Sequence, residues 1–382
     1  MGAAMKKVIL VPDSFKGTMT SAEVCSIMAE QVRAFFPGAE VVSLPVADGG
    51  EGSVTAFLAA VGGQKATVSV CGPCGEPMEA AYGLLTDGRT AVVEMAACAG
   101  LPLVGENRRP DRTTTYGVGQ LMADALARGC RRLILCLGGS ATNDFGAGAA
   151  AALGVRFLDR EGRAFVPVGG TLSDINSIDL SQVLPQVCET ELTVMCDIDN
   201  PLYGAQGAAF VFAPQKGADA EMTAFLDRQL RAVSETVKRE LGRDVSALPG
   251  AGAAGGMGGG MAAFFGAQLR PGIETVLDVT GFDTHLSGAD FVFSGEGRLD
   301  AQSLRGKVVS GVARRCKRAG VPLIAVVGDI GAGAEELYAQ GLTAAFSTNR
   351  IAADLSVLRP RCRQDLRAAM GDILRLLQLK EC

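Results

Sequence analysis

The sequence contains no tryptophan, a single histidine among its 382 residues, and no long run of strongly apolar side chains. The one histidine, His285, has no evident acid or base partner in the surrounding sequence, so a histidine-dependent reaction is not expected. Any general base would then have to be an aspartate. The uncharged stretch at residues 245–269 is mostly glycine and alanine and is interrupted by Pro249, which excludes a membrane span there.

Secretion signals are also missing, and the basic residues that cluster at positions 314–318 have helical spacing, which is typical of a solvated helix face. The net charge is −5, whereas a nucleic-acid-binding surface requires clustered lysine and arginine. Lys6 and Lys7 precede only a five-residue apolar run, which is too short for the core of a signal peptide. The sequence therefore predicts a cytoplasmic protein with no nucleic-acid partner and no membrane partner.

The eleven cysteines are expected to be reduced in a chain of this kind. One pair, in Cys71-Gly-Pro-Cys74, has the spacing of a dithiol redox motif. Such a motif requires a helix N-terminus directly after it, but Gly75-Glu-Pro77 follows here. The context favours a turn, and a thiol oxidoreductase is the less favoured alternative.

A recurring pattern of short apolar strand, glycine-containing loop and helix predicts an α/β fold. Residues 133–153 show it most clearly, with Gly138-Gly139 after an apolar run and a small-residue helix beyond. Comparable strands end near Val11, Val46, Leu137, Cys196, Phe293 and Val327. These units predict a Rossmann-like doubly wound parallel sheet domain formed by residues 1–65, 114–150 and 285–382. Short strands at 66–70, 79–85 and 90–95, and a mixed pattern later, predict a second, inserted mixed α/β domain at 66–113 and 151–284. Helices are expected at residues 20–36 and 220–241, and a further strand at 210–212. Thr20 or Ser21 is expected to cap the first of these helices, with Glu23 at the capping-box position for Thr20.

Charged and polar residues concentrate in the loops that follow the predicted parallel strands. Ligands bind at the carboxyl ends of strands in open parallel sheets, so these loops are expected to meet along one edge of one sheet. They contain acids suited to a metal (Asp48, Glu51, Glu296, Asp300) and cations suited to phosphates (Lys16, Arg298, Lys307). This set of residues suits phosphoryl transfer with Mg2+.

Two common nucleotide-binding motifs are absent or out of context. Gly306-Lys307 is followed by Val308, so no Walker A sequence exists. The glycine pattern at residues 250–255 matches a dinucleotide-binding fingerprint, but no strand precedes it. A closely packed glycine and alanine helix start is expected there instead.

Six separated motifs, in chain order, resemble those of type I bacterial glycerate kinases. They are Asp13-Ser-Phe-Lys-Gly17, Asp48-Gly-Gly-Glu-Gly52, Gly138-Gly-Ser-Ala-Thr-Asn-Asp144, Cys196-Asp-Ile-Asp-Asn-Pro-Leu202, Gly252-Ala-Ala-Gly-Gly-Met-Gly258 and Ser294-Gly-Glu-Gly-Arg-Leu-Asp300. The resemblance implies phosphorylation of D-glycerate to 2-phosphoglycerate with ATP and Mg2+, and small-molecule substrates as the partners. Phosphorylation at C3 or of a related hydroxy acid is an alternative, and a non-catalytic nucleotide or sugar-acid sensor is a more remote one. A homo-oligomer is compatible with the sequence, which leaves the oligomeric state open.

Each candidate role has a structural alternative. Asp197 is the preferred base because it leaves a strand, although it could form an Asx turn before Pro201. Lys16 is expected to neutralise a phosphate or to be an exposed turn residue. Asp48 and Glu51 are the predicted Mg2+ ligands, with capping of the following helix as the alternative. The other predicted substrate- and phosphate-binding residues are Asp13, Ser14, Gly139, Ser140, Thr142, Asn143, Asp199, Asn200, Glu296, Arg298 and Lys307. Among these, Arg298 is the expected fork for the glycerate carboxylate, with Lys307 as its alternative.

Overall fold

The computed structural model describes residues 5–46, 49–50, 52–106, 108–304 and 307–379. Its strands are β1 (Lys7–Pro12), β2 (Glu40–Ser43), β3 (Gly63–Cys71), β4 (Pro77–Leu85), β5 (Thr90–Glu94), β6 (Arg132–Cys136), β7 (Arg156–Leu158), β8 (Ala164–Phe165), β9 (Ser177–Asp179), β10 (Glu191–Met195), β11 (Gln268–Arg270), β12 (Phe291–Gly295), β13 (Arg298–Leu299), β14 (Leu323–Val327), β15 (Asp329–Ile330) and β16 (Leu342–Ser347).

The helices alternate with these strands over much of the chain. They are α1 (Ser21–Phe35), α2 (Ser53–Val61), α3 (Ala96–Ala99), α4 (Tyr116–Ala127), α5 (Ala147–Ala152), α6 (Pro185–Cys188), α7 (Ala208–Phe212), α8 (Ala220–Leu241), α9 (Ala253–Phe265), α10 (Gly272–Val279), α11 (Phe282–Leu286), α12 (Val308–Ala319), α13 (Glu336–Gln340), α14 (Leu355–Leu358) and α15 (Cys362–Gln378). None of the helices in the described ranges is long and apolar enough to cross a membrane.

The described residues form two compact units. The first comprises the described parts of Met1–Asp48, Thr55–Val61 and Pro271–Cys382, and the second comprises those of Gly49–Val54 and Gly62–Arg270. The predicted α/β class is confirmed. The sequence assigned residues 114–150 to the first domain, but the structure groups them with the second unit, because β6 pairs with β5 and β10.

A five-stranded, fully parallel sheet is the centre of the first unit. Its strand order is β16-β14-β12-β1-β2. After Lys7, strand β1 is apolar, and its side chains are buried on both faces, as expected for a covered parallel sheet. Helices α1 and α15 contribute apolar side chains to the core of this unit. The predicted capping box of α1 is confirmed, since Thr20 and Glu23 each accept a hydrogen bond from the other's backbone N–H.

A buried arginine joins three helices of the first unit. The guanidinium of Arg315 in α12, whose side chain is 6% exposed, lies 2.7 Å from carboxylate oxygens of Glu274 and Asp278 and 3.1 Å from Asp283. These acids come from α10 and α11. The three contacts compensate the charge that the fold has removed from water.

The second unit contains a mixed six-stranded sheet of order β11-β10-β6-β5-β4-β3. Strands β3, β4 and β5 form the predicted antiparallel meander, whereas β5, β6, β10 and β11 run parallel. A separate three-stranded antiparallel sheet has the order β8-β7-β9. The helix predicted at residues 220–241 is confirmed as α8, but the strand predicted at 210–212 is wrong, because this apolar segment forms the end of helix α7.

Helix α9 packs closely against the loop that precedes α5. A Cβ atom added at Gly260 would lie 1.8 Å from the carbonyl oxygen of Phe145, and one at Gly258 would lie 2.4 Å from Gly250 O. The backbone of Phe145 is left-handed, with φ of 59°, and Ala254 at the start of α9 has φ of 52°. The glycine-rich segment is closely packed as predicted, but it is not a regular helix start, because Ala254, Gly255 and Gly256 have left-handed backbone angles. Phe145 and Ala254 are non-glycine residues for which this conformation costs energy.

The segment from Cys71 to Cys74 lies in the turn that connects β3 and β4. Cys71 pairs with Pro77 at the end of the antiparallel ladder, and the N–H of Gly75 donates to Gly72 O across the turn. Burial, together with the charge of Glu76, raises the pKa of both thiols above the ordinary cysteine value. The turn interpretation is therefore supported, since a redox-active thiol requires a lowered pKa.

Candidate active-site loops

Three loops of the first unit meet at the carboxyl ends of β1, β12 and β14. The N–H of Asp13 donates to Gly295 O over 2.8 Å, and the N–H of Gly328 donates to Glu296 O over 3.1 Å. A Cβ added at Gly297 would lie 3.6 Å from the backbone nitrogen of Lys16. The Asp13–Gly17 and Ser294–Asp300 motifs are thus neighbours at this sheet edge, as ligand-binding loops of parallel sheets are.

Glu296 is a buried acid of this loop group. The residue is 4% exposed, and its Oε1 accepts a short hydrogen bond from Ser303 Oγ. Its other oxygen, Oε2, is buried without a hydrogen-bond partner among the described residues. Burial raises the pKa of Glu296 to about 7. The hydrogen bond from Ser303 and the charge of Lys307 oppose this rise, and the charges of Asp13 and Asp300 add to it by smaller amounts.

The predicted cations of this group differ in their surroundings. Lys16 is exposed in the turn after β1, and Lys307 is half-buried at the N-cap of α12. The guanidinium of Arg298 is 3.3 Å from a carboxylate oxygen of Asp300 and 3.7 Å from one of Asp329. The guanidinium of Arg298, which was expected to bind the glycerate carboxylate, therefore already lies beside two acids. These acids would compete with a ligand carboxylate for the guanidinium.

Loops of the second unit meet at the carboxyl ends of β6 and β10. A Cβ added at Gly138 would lie 2.5 Å from the Cα of Gly50, and one at Gly49 would lie 3.3 Å from Cβ of Met195. The N–H of Gly138 donates to Gly49 O over 3.2 Å. The absence of side chains allows the backbone of Gly49 and Gly50 to lie directly against the Gly138–Asp144 loop.

A buried lysine, Lys216, hydrogen-bonds to the Gly138–Asp144 loop, and the sequence predicted no functional role for this residue. Lys216 Nζ donates to Ser140 Oγ over 2.7 Å and to Thr142 O over 2.6 Å. The residue is 2% exposed, and burial lowers the pKa of its ammonium to about 7, against the favourable charge of Asp144. In the sequence, Lys216 is simply a lysine between Gln215 and Gly217, and this context does not indicate that it is buried.

Polar side chains of the same loop are buried without partners. Thr142 Oγ1 and both side-chain polar atoms of Asn143 have no hydrogen-bond partner in the part of the chain that the structure describes. Asp144 differs, since its carboxylate accepts bonds from Thr115 N and Oγ1 and from Gly146 N. Asp144 therefore fixes the local fold, whereas Thr142 and Asn143, both fully buried, have polar side-chain atoms with which no described residue pairs.

The loop after β10 presents two exposed carboxylates. Asp197 and Asp199 are both exposed, and Asn200 is half-buried with its Nδ2 donating to Gln206 O over 2.8 Å. The strand end is fixed by the N–H of Cys196, which donates to Arg270 O over 2.9 Å. Because β10 pairs in parallel with β6, this loop and the Gly138–Asp144 loop lie at the same end of the strands of the second sheet.

The expectation that all motif loops share one edge of one sheet is wrong. Loops with Lys16 and Glu296 follow strands of the five-stranded sheet, whereas loops with Asn143 and Asp197 follow strands of the six-stranded sheet. Parallel strands of the two sheets have the same sequence pattern, so strand order could not be read from it. The predicted Mg2+ ligands Asp48 and Glu51 lie outside the described residues. Among the residues described, no group of three or more His, Cys, Asp or Glu side chains could hold a metal ion.

A family model, named relatives and a solved structure indicate one family. The model of the glycerate kinase family matches residues 8–378. A glycerate kinase of Halalkalibacterium halodurans is 46% identical over 344 residues, which cover 90% of each protein. The glycerate 2-kinase of Escherichia coli K12 is 43% identical over 342 residues, which cover 89% of this chain and 90% of that protein. A solved structure assigned to glycerate kinase 2 of Salmonella typhimurium LT2 has a TM-score of 0.89 and 40% identity, with 99% of both chains covered.

Fold, loops and matches together define the class of the protein, which is an ATP-dependent kinase with an α/β architecture. The chain belongs to the glycerate kinase family. The resemblance carried by its six sequence motifs is thereby confirmed.

Proposed function

We propose that this chain transfers the γ-phosphoryl group of ATP to the C2 hydroxyl of D-glycerate, giving 2-phosphoglycerate and ADP. The observation that carries the proposal is the Gly138–Asp144 loop, where three buried polar side-chain atoms of Thr142 and Asn143 lack partners among the described residues. Each buried unpaired group costs about 1–3 kcal/mol, so a ligand that pairs with them is the physical reason to keep them. The E. coli relative named glycerate 2-kinase supports C2 as the acceptor position.

Asp197 is proposed as the general base. It is exposed at the carboxyl end of β10, and a carboxylate there can accept the proton of the attacking hydroxyl as the oxygen bonds to phosphorus. The transfer is proposed to occur in line, with the attacking oxygen opposite the leaving ADP oxygen. Asp199 and Asn200 follow in the same loop and are proposed to orient the substrate.

The remaining candidates are proposed to bind anionic groups or to orient them. In the second unit, Gly139, Ser140, Thr142 and Asn143 are proposed to contact phosphate or substrate oxygens. In the first unit, the proposed contacts are Asp13, Ser14, Lys16, Glu296, Arg298 and Lys307. Lys16, Arg298 and Lys307 supply the positive charge of that group, which balances negative charge on phosphate or carboxylate groups.

Mg2+ is proposed to accompany ATP, and when bound it neutralises charge on the phosphate oxygens. Asp48 and Glu51 remain its predicted ligands, since carboxylates together with substrate phosphates are the usual environment of this ion.

The activity is tested with the full chain, D-glycerate, ATP and Mg2+ in a coupled assay of ADP release. We expect ADP release that depends on D-glycerate, and phosphorus NMR of the product should show 2-phosphoglycerate. A 3-phosphoglycerate product would overturn the assignment of C2, and glycerate-independent ADP release would overturn the acceptor.

The role of Asp197 is tested with Asp197→Asn, which removes the basic oxygen at constant size. The expected result is a kcat lower by about 10²- to 10⁴-fold, the usual contribution of a positioned base. Asp219→Asn is the matched control, because Asp219 is an exposed N-cap of α8 and asparagine caps equally well. Near-normal turnover in Asp197→Asn would remove Asp197 from the mechanism.

A further inference from the structure

Lys216 is the buried cation next to the polar loop of the second unit. It ends the short turn Pro214–Lys216 between α7 and α8, and its ammonium reaches a loop more than seventy residues earlier in the chain. The two hydrogen bonds that it donates, to Ser140 Oγ and Thr142 O, are 2.7 and 2.6 Å long. An ammonium group has three N–H donors, so one remains beyond these two bonds.

The bond to Ser140 determines what the serine hydroxyl can do. A hydroxyl has one hydrogen to donate, and here its oxygen already accepts from Lys216. While Lys216 is protonated it has no lone pair to accept a hydrogen bond, so the hydroxyl hydrogen is then directed away from it. Ser140 itself is half-buried, so this hydrogen can reach a ligand at the loop surface.

Within the described ranges, no carboxylate forms a direct ion pair with Lys216. Asp144 influences the ammonium electrostatically, but its carboxylate accepts from Thr115 and Gly146 instead of forming a hydrogen bond with Lys216. Burying a cation in this way is costly unless an anion offsets it. The unpartnered polar atoms of Thr142 and Asn143 lie in the same loop and independently indicate that a ligand completes the site.

We infer that Lys216 is a positioning residue of this loop, which holds the Ser140 hydroxyl as a donor toward an anionic oxygen of a bound substrate. The inference rests on the proposed function for the identity of that substrate, which is either the phosphate chain of the nucleotide or the carboxylate of glycerate. Both present anionic oxygens that a hydroxyl donor and a nearby positive charge would bind.

The test is isothermal titration of the full chain with two probes, ADP and D-glycerate, in separate experiments. The proteins are the wild type, Lys216→Met, Ser140→Ala, the double variant, and Lys65→Met as a control for an exposed lysine of the same unit. We expect one probe to bind about 10- to 100-fold more weakly to Lys216→Met, the effect of losing a charge-assisted contact. The probe that is affected identifies the anion, and Lys65→Met should bind both probes like the wild type.

The double variant separates positioning from a merely structural role. If Lys216 acts through the Ser140 hydroxyl, its replacement should cost much less in the Ser140→Ala background, so the two losses should not add. Fully additive losses, or unchanged affinities for both probes in Lys216→Met, would overturn the inference. Should Lys216→Met fail to fold by circular dichroism, Ser140→Ala alone decides, since wild-type affinity for both probes in that variant is incompatible with the inference.

The outcome is also distinguishable from that of the proposed function. A chain that releases no ADP with D-glycerate, yet loses ADP affinity in Lys216→Met and Ser140→Ala, would refute the proposed reaction and support the role of Lys216. Glycerate kinase activity in the wild type, together with unchanged affinities for both probes in the two variants, would support the proposed reaction and refute the role of Lys216.

Discussion

Replacing the buried carboxyl of Glu296 with an amide should stabilise the protein, and more so at high pH. The pKa of Glu296 is raised from 4.5 to about 7 because the side chain is buried and one oxygen has no partner among the described residues. The neutral form is therefore favoured by folding. Its contribution to stability is fully present below pH 4.5 and is lost as the pH rises through 7.

The size of the effect follows from the two pKa values. One pH unit of difference corresponds to about 1.4 kcal/mol, so ionisation of Glu296 costs the folded state about 3 kcal/mol at pH 8.5 and about 1 kcal/mol at pH 5. Glu296→Gln cannot ionise and can still accept the hydrogen bond from Ser303. Its advantage over the wild type should therefore be about 2 kcal/mol larger at pH 8.5 than at pH 5.

The measurement is urea unfolding followed by circular dichroism at the two pH values, with the slopes of the transitions compared. Titration of Lys216 is common to both proteins and cancels in the comparison. Glu40→Gln, at an exposed carboxylate of the same unit, is the control for replacing a carboxylate by an amide. A Glu296→Gln advantage that is the same at both pH values, or larger at pH 5, would refute the reasoning from burial.

Three further changes test separate features of the fold and site. Arg315→Met leaves the carboxylates of α10 and α11 without their shared cation. Because those acids are partly exposed, the variant should lower the free energy of unfolding of the first unit by about 1–3 kcal/mol in urea. No measurable loss would mean that the ion-pair network contributes nothing to stability. Gly260→Ala places a methyl group against the carbonyl of Phe145 and should cost about 3 kcal/mol, whereas Gly38→Ala, in open space, should cost little, and equal thermal midpoints would contradict the packing. Arg298→Ala should weaken D-glycerate binding in titration about tenfold or more. An unchanged affinity would mean that Arg298 does not bind glycerate and serves only as the ion-pair partner of Asp300 and Asp329.

Local signals in the sequence were sufficient for most elements. Continuous apolar runs gave β1, β6 and β14, and the Thr20–Glu23 pair gave the start of α1. The segment 208–212 was misread because a short apolar run has no period that separates a buried strand from a helix. Local pattern therefore located elements well and failed where only packing decides the type.

The features that needed three dimensions were sheet membership and burial. Whether a strand joins the five-stranded or the six-stranded sheet depends on partners far along the chain, so the loops of Lys16 and Asn143 were assigned to one edge. Lys216 had no sequence feature that distinguishes it from an exposed lysine, because its burial comes from contacts with Ser140 and Thr142. The polar motif loops themselves were found from sequence, because glycine and charge after an apolar strand are local.

The strand order of the five-stranded sheet also affects how the chain folds during synthesis. Strand β1 leaves the ribosome early, but the strand on its other side, β12, begins at Phe291. At about 5–20 residues per second, β1 and β2 wait roughly 15 to 60 s before β12 exists. Meanwhile the six-stranded sheet between them in sequence can be completed. The edge of β1 that later pairs with β12 thus stays unpaired for that time. An unpaired apolar strand edge can associate with other chains, so we expect a chaperone to bind the nascent protein at this amino-terminal segment.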